Sequence, residues 1–305
     1  MASFGLSTHD GSLAAAAFAG HDALTRPLAQ PVELVLAELV EEGELLGSFQ
    51  RRSEARTSRA LARRATGGAS VLTGPGIAHG VLALASPGAL MPANEDQILN
   101  RYVRPFLAAI TKVAAPAHYF GRDWISVSHR PAAHLSFAHC AETRRTVVEV
   151  FVALSRGFCA GARSSHLGKE PILLDEVARI PVTVERLRAA LVDGLAERHA
   201  LEATAFTAAR PPPIPAIAED PPWVASVEEA IGPVSAGRDR LGALRLGGEL
   251  MASFDAVAEL EARLRDASRQ DLDAIVDAVF TAPRVALFGV RSLRSIRDVL
   301  DAGFD

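Results

Sequence analysis

Arg63-Arg64-Ala65-Thr66-Gly67-Gly68-Ala69-Ser70-Val71-Leu72 sets two fixed cations directly before paired glycines and then enters a β-branched, apolar segment. Guanidinium groups grip carboxylate or phosphate oxygens bidentately, and glycines let backbone N–H groups approach a ligand that a Cβ would hold off. The stretch reads as an anion cradle supplied by Arg63, Arg64, Gly67, Gly68 and the N–H of Ala69. Arg doublets recur at Arg51-Arg52 and Arg144-Arg145, so an ordinary glycine turn with a solvated charge pair is the competing reading.

Working outward, residues 69–72 and 77–84 give two strands about the turn Thr73-Gly74-Pro75-Gly76. Residues 44–50 read as a strand ending in a bend, 51–64 as a charged connector with some helix, and 32–40 suit helix and strand equally. A helix follows Asn94, with Ile98, Leu99, Tyr102, Phe106, Leu107 and Ile110 on one face. Residues 124–128 and 146–154 read as strands, and a second helix starts near Thr183. Pro211-Pro212-Pro213 with Pro215, Pro221 and Pro222 marks a linker. Beyond it, a hairpin around Gly247-Gly248 and three helices capped at Asp255, Ser268 and Ser292 are expected.

This order divides the 305 residues into a poorly specified lead-in 1–31, a main domain 32–210, a linker 211–222 and a small domain 223–305. Strands come in runs and not in strict βαβ alternation, so the expected fold class is α+β in both domains, a mixed or antiparallel sheet with packed helices followed by a small α+β domain.

A formal net charge of -4 argues against broad binding to nucleic acid or anionic membranes. Cys140 and Cys159 are too few for a disulfide framework, the N-terminus lacks the form of a signal peptide, and no apolar run is long enough to span a bilayer. A soluble cytoplasmic protein is expected. There is no dinucleotide fingerprint and no P-loop, and no His/Cys/Asp cluster has metal-ligand spacing, so no dedicated metal site is expected.

Several short motifs occur in one order: Gly47-Ser48-Phe49-Gln50, Arg63-Arg64-x-x-Gly67-Gly68, Gly80, Asn100-Arg101-Tyr102 and Gly121-Arg122-Asp123. Together they resemble the lipoate-protein ligase A family over roughly residues 32–205, and 232–303 is similar to its small C-terminal accessory domain. The resemblance implies a biotin/lipoate-ligase-like catalytic domain. In it Arg63, Arg64, Gly67, Gly68, Ala69 and Asp123 would lie around an acyl-adenylate. It implies ATP and Mg2+ as cofactors, and a lipoate or octanoate-like acyl group as substrate. The acceptor would be a lysine on the lipoyl domain of a 2-oxoacid dehydrogenase or glycine cleavage protein. Activating a carboxylate on a phosphate brings like charges together, hence the fixed cations, backbone donors and an apolar groove. Val71, Leu72, Leu82 and Leu84 are candidates for that groove or for plain core.

Two departures stand out. The family's third glycine is Ala69, and its catalytic lysine is missing from Ser128-His129-Arg130-Pro131-Ala132-Ala133-His134; the only lysines in the chain are Lys112 and Lys169. Arg130 would replace the charge but not a proton-shuttling amine, while His129 or His134 would titrate instead, which makes these three the catalytic candidates. Related octanoyl and lipoyl transferases use a cysteine thioester without ATP. Cys140, near Arg144 and Arg145, is the candidate for that route, against an inert buried thiol. A non-catalytic descendant that binds acyl groups or adenylate, or regulates, is the rival from another class.

Overall fold

The computed structural model describes residues 2–159, 161 and 163–304. The chain runs β1 (Ala2–Ser7), α1 (Leu13–Thr25), β2 (Val32–Leu39), β3 (Gly43–Leu46), β4 (Leu61–Arg63), β5 (Val71–Thr73), β6 (Ile77–Leu84), α2 (Ile98–Val113), β7 (Ala117–Tyr119) and β8 (Trp124–Val127). It continues through β9 (Arg130–His139), β10 (Thr146–Ala153), α3 (Leu174–Val177), α4 (Val184–His199) and β11 (Leu201–Ala205). The C-terminal part holds β12 (Ala225–Glu229), β13 (Gly232–Arg238), β14 (Leu244–Gly248), β15 (Met251–Ala252), α5 (Phe254–Leu264), α6 (Leu272–Phe280), β16 (Leu287–Phe288) and α7 (Leu293–Ala302).

Eight strands form the main sheet in the order β11-β1-β2-β6-β10-β9-β8-β7. It is mixed: β1 runs parallel to β2 and β11, and the other pairs are antiparallel. The expected α+β class with a mixed sheet is the observed one.

Strand alternation gives this sheet two unlike faces. On one, Leu82, Leu84, Val148, Val150, Leu135 and Phe137 pack with Tyr102 and Phe106 of α2 and Leu187 and Leu191 of α4. Leu82 and Leu84 are therefore core behind the sheet and not a ligand groove. The other face carries His79, Glu149, Phe151, His134 and Ser136. It is roofed by α1 and by the small sheet β4-β3-β5, through a second apolar cluster that includes Leu13, Leu45, Val71, Phe151 and Phe158.

Several expectations need correction. The first residues are no loose lead-in: 2–7 add a strand to the main sheet and 13–25 form α1, capped by the Ser12 side chain on the Ala15 N–H. Small, alanine-rich composition hid a helix that packs closely on a sheet. Residues 32–39 are strand because both faces of this central position are buried, which removes the polar alternation that would have announced it. The hairpin about Gly247-Gly248 is absent, since β14 pairs with β13 and β15 with β16. A Cβ on Gly247 would stand 2.3 Å from the Phe49 carbonyl, so this glycine serves close approach and not a turn. The C-terminal strands and helices enclose an apolar cluster of their own around Leu246, Val257, Leu260, Val276 and Ile296.

Candidate functional site

Register builds the polar face. Phe151 on β10 lies opposite His79 on β6 and His134 on β9, and His134 lies opposite Trp124 on β8, while Glu149 pairs with Ser136 one step along the same face. His79 and His134 flank Phe151 from opposite sides, and each belongs to a different buried polar group.

The first group centres on Glu149 and Arg64, both fully buried. Arg64 donates from Nε to Thr66 Oγ1 (2.9 Å), from Nη1 to the Leu45 carbonyl (3.0 Å), and from Nη2 to the carbonyls of Gly67 (2.8 Å) and Ala69 (2.7 Å). Its charge stands 3.6 Å from Glu149, whose other oxygen lies 3.6 Å from His79 Nε2, and Thr66 donates to the carboxylate directly. Burial pushes the Glu149 carboxyl up, but His79, Arg64 and Thr66 outweigh it and hold it below its ordinary value. Burial likewise lowers Arg64 to about 10, so it stays charged at neutral pH. His79 is reached from outside through His9: the Gly11 N–H donates to His9 Nδ1 (3.0 Å), which leaves the proton on Nε2 to be donated to His79 Nδ1 (3.1 Å).

The second group is Asp123, His134 and His166, all fully buried. One ligand-type atom from each lies within 4.8 Å of the other two, with His134 Nδ1 3.6 Å from Asp123 Oδ2. Both Asp123 oxygens, both His134 nitrogens and His166 Nε2 have no hydrogen-bond partner among the described residues. His166 Nδ1 lies 3.7 Å from Cys159 Sγ. Burial raises Asp123 to about 7 against the pull of Arg163, and lowers His166 to about 3 with Arg163 assisting. His134 is likewise pushed down, by burial first and then by Arg64 and Arg163. Arg163 itself is buried and pairs with Glu249, which also receives Arg56 at 3.0 Å.

The structure scatters the residues singled out from sequence. Arg64 is spent on the protein. The Gly67 N–H donates to Phe137 (3.0 Å) and the Gly68 N–H to Leu250 (2.8 Å), and a Cβ on Gly67 would stand 2.2 Å from the Leu250 carbonyl. The glycine pair thus admits a neighbouring strand of its own chain, and the loop as folded does not fit a nucleotide phosphate through these atoms. Ala69 is buried, with its carbonyl accepting from Arg64. Arg63 alone of the doublet reaches open space. It donates to the Ser48 carbonyl (3.0 Å) and lines two cavities. One, of about 390 Å³, also has Ser48, Gln50, Trp223 and Arg245 in its wall; the other, of about 270 Å³, has Ala17, Phe18, His21, Pro213 and Ile214.

Of the three catalytic candidates on the stretch lacking the lysine, only His134 joins the polar face. Ser128 and His129 both have positive φ, 47° and 61°, and make the tight turn between β8 and β9, so His129 is an exposed turn residue. Arg130 lies outside, donating to the carbonyls of Glu170 (3.2 Å) and Pro171 (2.7 Å). Cys140 contacts Asp255 at 3.5 Å, while Arg144 pairs with Glu95 and Arg145 binds the Leu24 carbonyl, so neither arginine is engaged with the thiol. Cys159 is pushed up to about 12 by burial, an inert thiol. Asp123, just before β8, lies among the histidines His134 and His166. Sequence reading missed His9, His79, Glu149, Arg163 and His166. Glu149 alone had a signal, a carboxylate in the middle of the apolar run Val147-Val148-Glu149-Val150-Phe151.

No protein-family model and no curated protein matches this sequence. Solved structures do match. P. falciparum LipL1 in complex with lipoate aligns over 98% of this chain and 98% of its own, with TM-score 0.65 and 12% identity. The T. acidophilum protein Ta0514 with bound lipoic acid aligns over 68% of this chain and 90% of its own, with TM-score 0.51 and 14% identity. A lipoate-protein ligase A bound with ATP covers the same shares, with TM-score 0.52 and 13% identity. At these identities the shared property is the fold. The chain has the fold of the lipoate-protein ligases, and in the first of these matches the likeness includes the C-terminal part.

Proposed function

We propose that this chain is an acyl-protein ligase or transferase of the lipoate-ligase type, which binds a lipoate or octanoate-like acid and passes it to a lysine of a lipoyl acceptor domain. The observation that carries the reading is Arg63, shared by an apolar cavity of about 270 Å³ and a more polar one of about 390 Å³. An amphiphilic acid needs that pairing: aliphatic wall for the chain and a guanidinium for the carboxylate at its end. Lipoate in LipL1 and lipoic acid in Ta0514 support the ligand class, and ATP in the lipoate-protein ligase A supports activation by adenylation. Among the described residues no helix is long and apolar enough to cross a membrane. A cytoplasmic location is part of the proposal.

A second reading is favoured by one observation: the loop donors that would hold a phosphate are bound to Phe137 and Leu250. On that reading the chain binds the acyl group without adenylating it, as a binding protein or an ATP-independent transferase. Mg2+ finds no support in the histidine-rich set around Asp123, because it prefers oxygen ligands and waters.

Thermal unfolding with lipoate, octanoate and a lipoyl-adenylate analogue tests the site. Ligand should raise Tm, and Arg63→Ala should weaken affinity by roughly 1.5–3 kcal/mol, the worth of a charged hydrogen bond. No shift at millimolar ligand would sink the proposal. Lipoyl transfer assayed with and without ATP then separates the readings: ATP-dependent turnover supports the ligase, and tight binding without ATP-dependent transfer supports the second.

A further inference from the structure

We propose that Asp123, His134 and His166 form a binding site for a transition-metal dication of the Zn2+ or Fe2+ class, buried beneath the polar face of the main sheet. The inference goes beyond the acyl reading and stands without it.

Geometry comes first. Three side chains from separate places in the chain, one just before β8, one on β9 and one in the segment after β10, bring a carboxylate and two imidazoles within 4.8 Å of one another. In a tetrahedral shell with bonds of about 2.0–2.1 Å, neighbouring donor atoms lie ~3.3 Å apart. The 3.6 Å between His134 Nδ1 and Asp123 Oδ2 needs little adjustment to meet that.

Satisfaction comes second. Buried polar groups are almost always hydrogen-bonded, and leaving one unpaired costs about 1–3 kcal/mol or more. Here all three side chains are fully buried, and five of their donor or acceptor atoms have no partner among the described residues. The neighbouring Ser165 Oγ and Arg163 Nε have none among them either. A cation would take the carboxylate and one nitrogen of each ring together.

Donor chemistry sets the metal. Two imidazoles and one carboxylate suit Zn2+, Fe2+, Co2+ or Ni2+, whereas Mg2+ and Ca2+ take oxygen. His166 has its Nδ1 facing Cys159 Sγ, which leaves Nε2 as the metal-facing nitrogen and fixes the tautomer in the manner of an outer-shell partner. Arg163 is the opposing charge, and it is offset by Glu249. With three protein ligands, at least one position stays open beside that guanidinium, suited to an anionic oxygen such as hydroxide or a carboxylate.

The test uses the untagged full chain, stripped with a chelator and titrated with Co2+ and Zn2+. About one equivalent per chain should bind, with the visible spectrum of nitrogen- and oxygen-ligated cobalt and no sulfur-to-cobalt charge-transfer band. Asp123→Asn, His134→Gln and His166→Gln should each weaken binding by at least the roughly 10–100-fold that loss of an outer-shell partner costs, and Cys159→Ser by no more than that. If a variant fails to fold, X-ray absorption on the wild-type zinc form decides, since it should show two imidazoles in the first shell. Wild-type affinity no higher than that of a folded triple variant overturns the site, as does a shell of oxygen alone. A thiolate band that disappears in Cys159→Ser overturns the three-residue assignment.

Discussion

Two buried polar groups share one face of the sheet and differ in how their bonds are met. Around Glu149, every nitrogen of Arg64 has an acceptor and Thr66 ties guanidinium to carboxylate, while Glu149 Oε1 and His79 Nε2 face each other at 3.6 Å without a hydrogen bond. Around Asp123, both carboxylate oxygens and three imidazole nitrogens have no hydrogen-bond partner among the described residues. A buried cation whose donors are all met within the chain fixes one arrangement of the backbone, whereas a cluster of unpartnered buried atoms calls for a water, an ion or a ligand to complete it. The difference is that the donors of Arg64, the residue most suggestive in sequence, are taken up by its own chain, whereas Asp123, His134 and His166 keep unpartnered atoms among the described residues.

Removing one member from each group should produce the largest difference between them. Arg64→Ala leaves the Glu149 charge buried without its guanidinium and strips four hydrogen bonds from the loop, so a loss of about 3–5 kcal/mol in urea unfolding is expected. Asp123→Asn in metal-free protein removes a carboxyl that burial has already raised to about 7 and that has no hydrogen-bond partner among the described residues, so stability at neutral pH should hold or rise. Equal losses in the two variants would show that the groups are not different in kind.

A smaller effect is expected on the Glu149 side. His9 hydrogen-bonds His79, whose Nε2 lies 3.6 Å from Glu149, and the pKa of His9 is lowered from 6.5 to about 3 by burial first and then by the charge of His79, with Asp10 pulling the other way. The unfolded chain therefore binds a proton near pH 6.5 that the folded chain refuses. Stability from this group is full above pH 6.5 and is lost progressively as pH falls toward 3. Other buried histidines slope the same way, so the readout is wild type minus His9→Gln. The variant should show the shallower decline between pH 6.5 and 4.5, above the range where Glu149 begins to contribute. Parallel curves would place His9 outside the network.

Much of this fold was legible because strand and helix patterns are local. The helix after Thr183 begins as its cap requires, with the Thr183 side chain accepting from the Arg186 N–H, and residues 146–153 form a strand as their β-branched run demands. The candidate site was less legible because it depends on register and on long-range closure. Arg63 and Arg64 are adjacent in sequence, yet one reaches the cavities and the other is walled in by carbonyls of its own loop. Sequence motifs say which residues can bind an anion, and only packing says which have acceptors already. The trio of Asp123, His134 and His166 has no local spacing to announce it. It exists because β8 pairs with β9 and the segment after β10 folds back over both.

The smallest effect is expected at Arg130, where the missing family lysine directed attention. Its guanidinium is 42% exposed, donates to the carbonyls of Glu170 and Pro171, and stands 3.7 Å from a half-exposed Glu176. Exposed pairs of this kind contribute about 0–1 kcal/mol, because water screens the charges and two long side chains must be held in place. Arg130→Ala should therefore unfold within about 1 kcal/mol of wild type and bind lipoate unchanged, and Arg130→Lys should be indistinguishable from wild type in both. Urea unfolding and the ligand-induced shift in Tm measure the two quantities on the same samples. If Arg130→Ala instead abolished acyl binding with its stability intact, the chemistry would lie at the outer end of β9 beside α3, and the contrast between the two buried groups would lose its functional meaning.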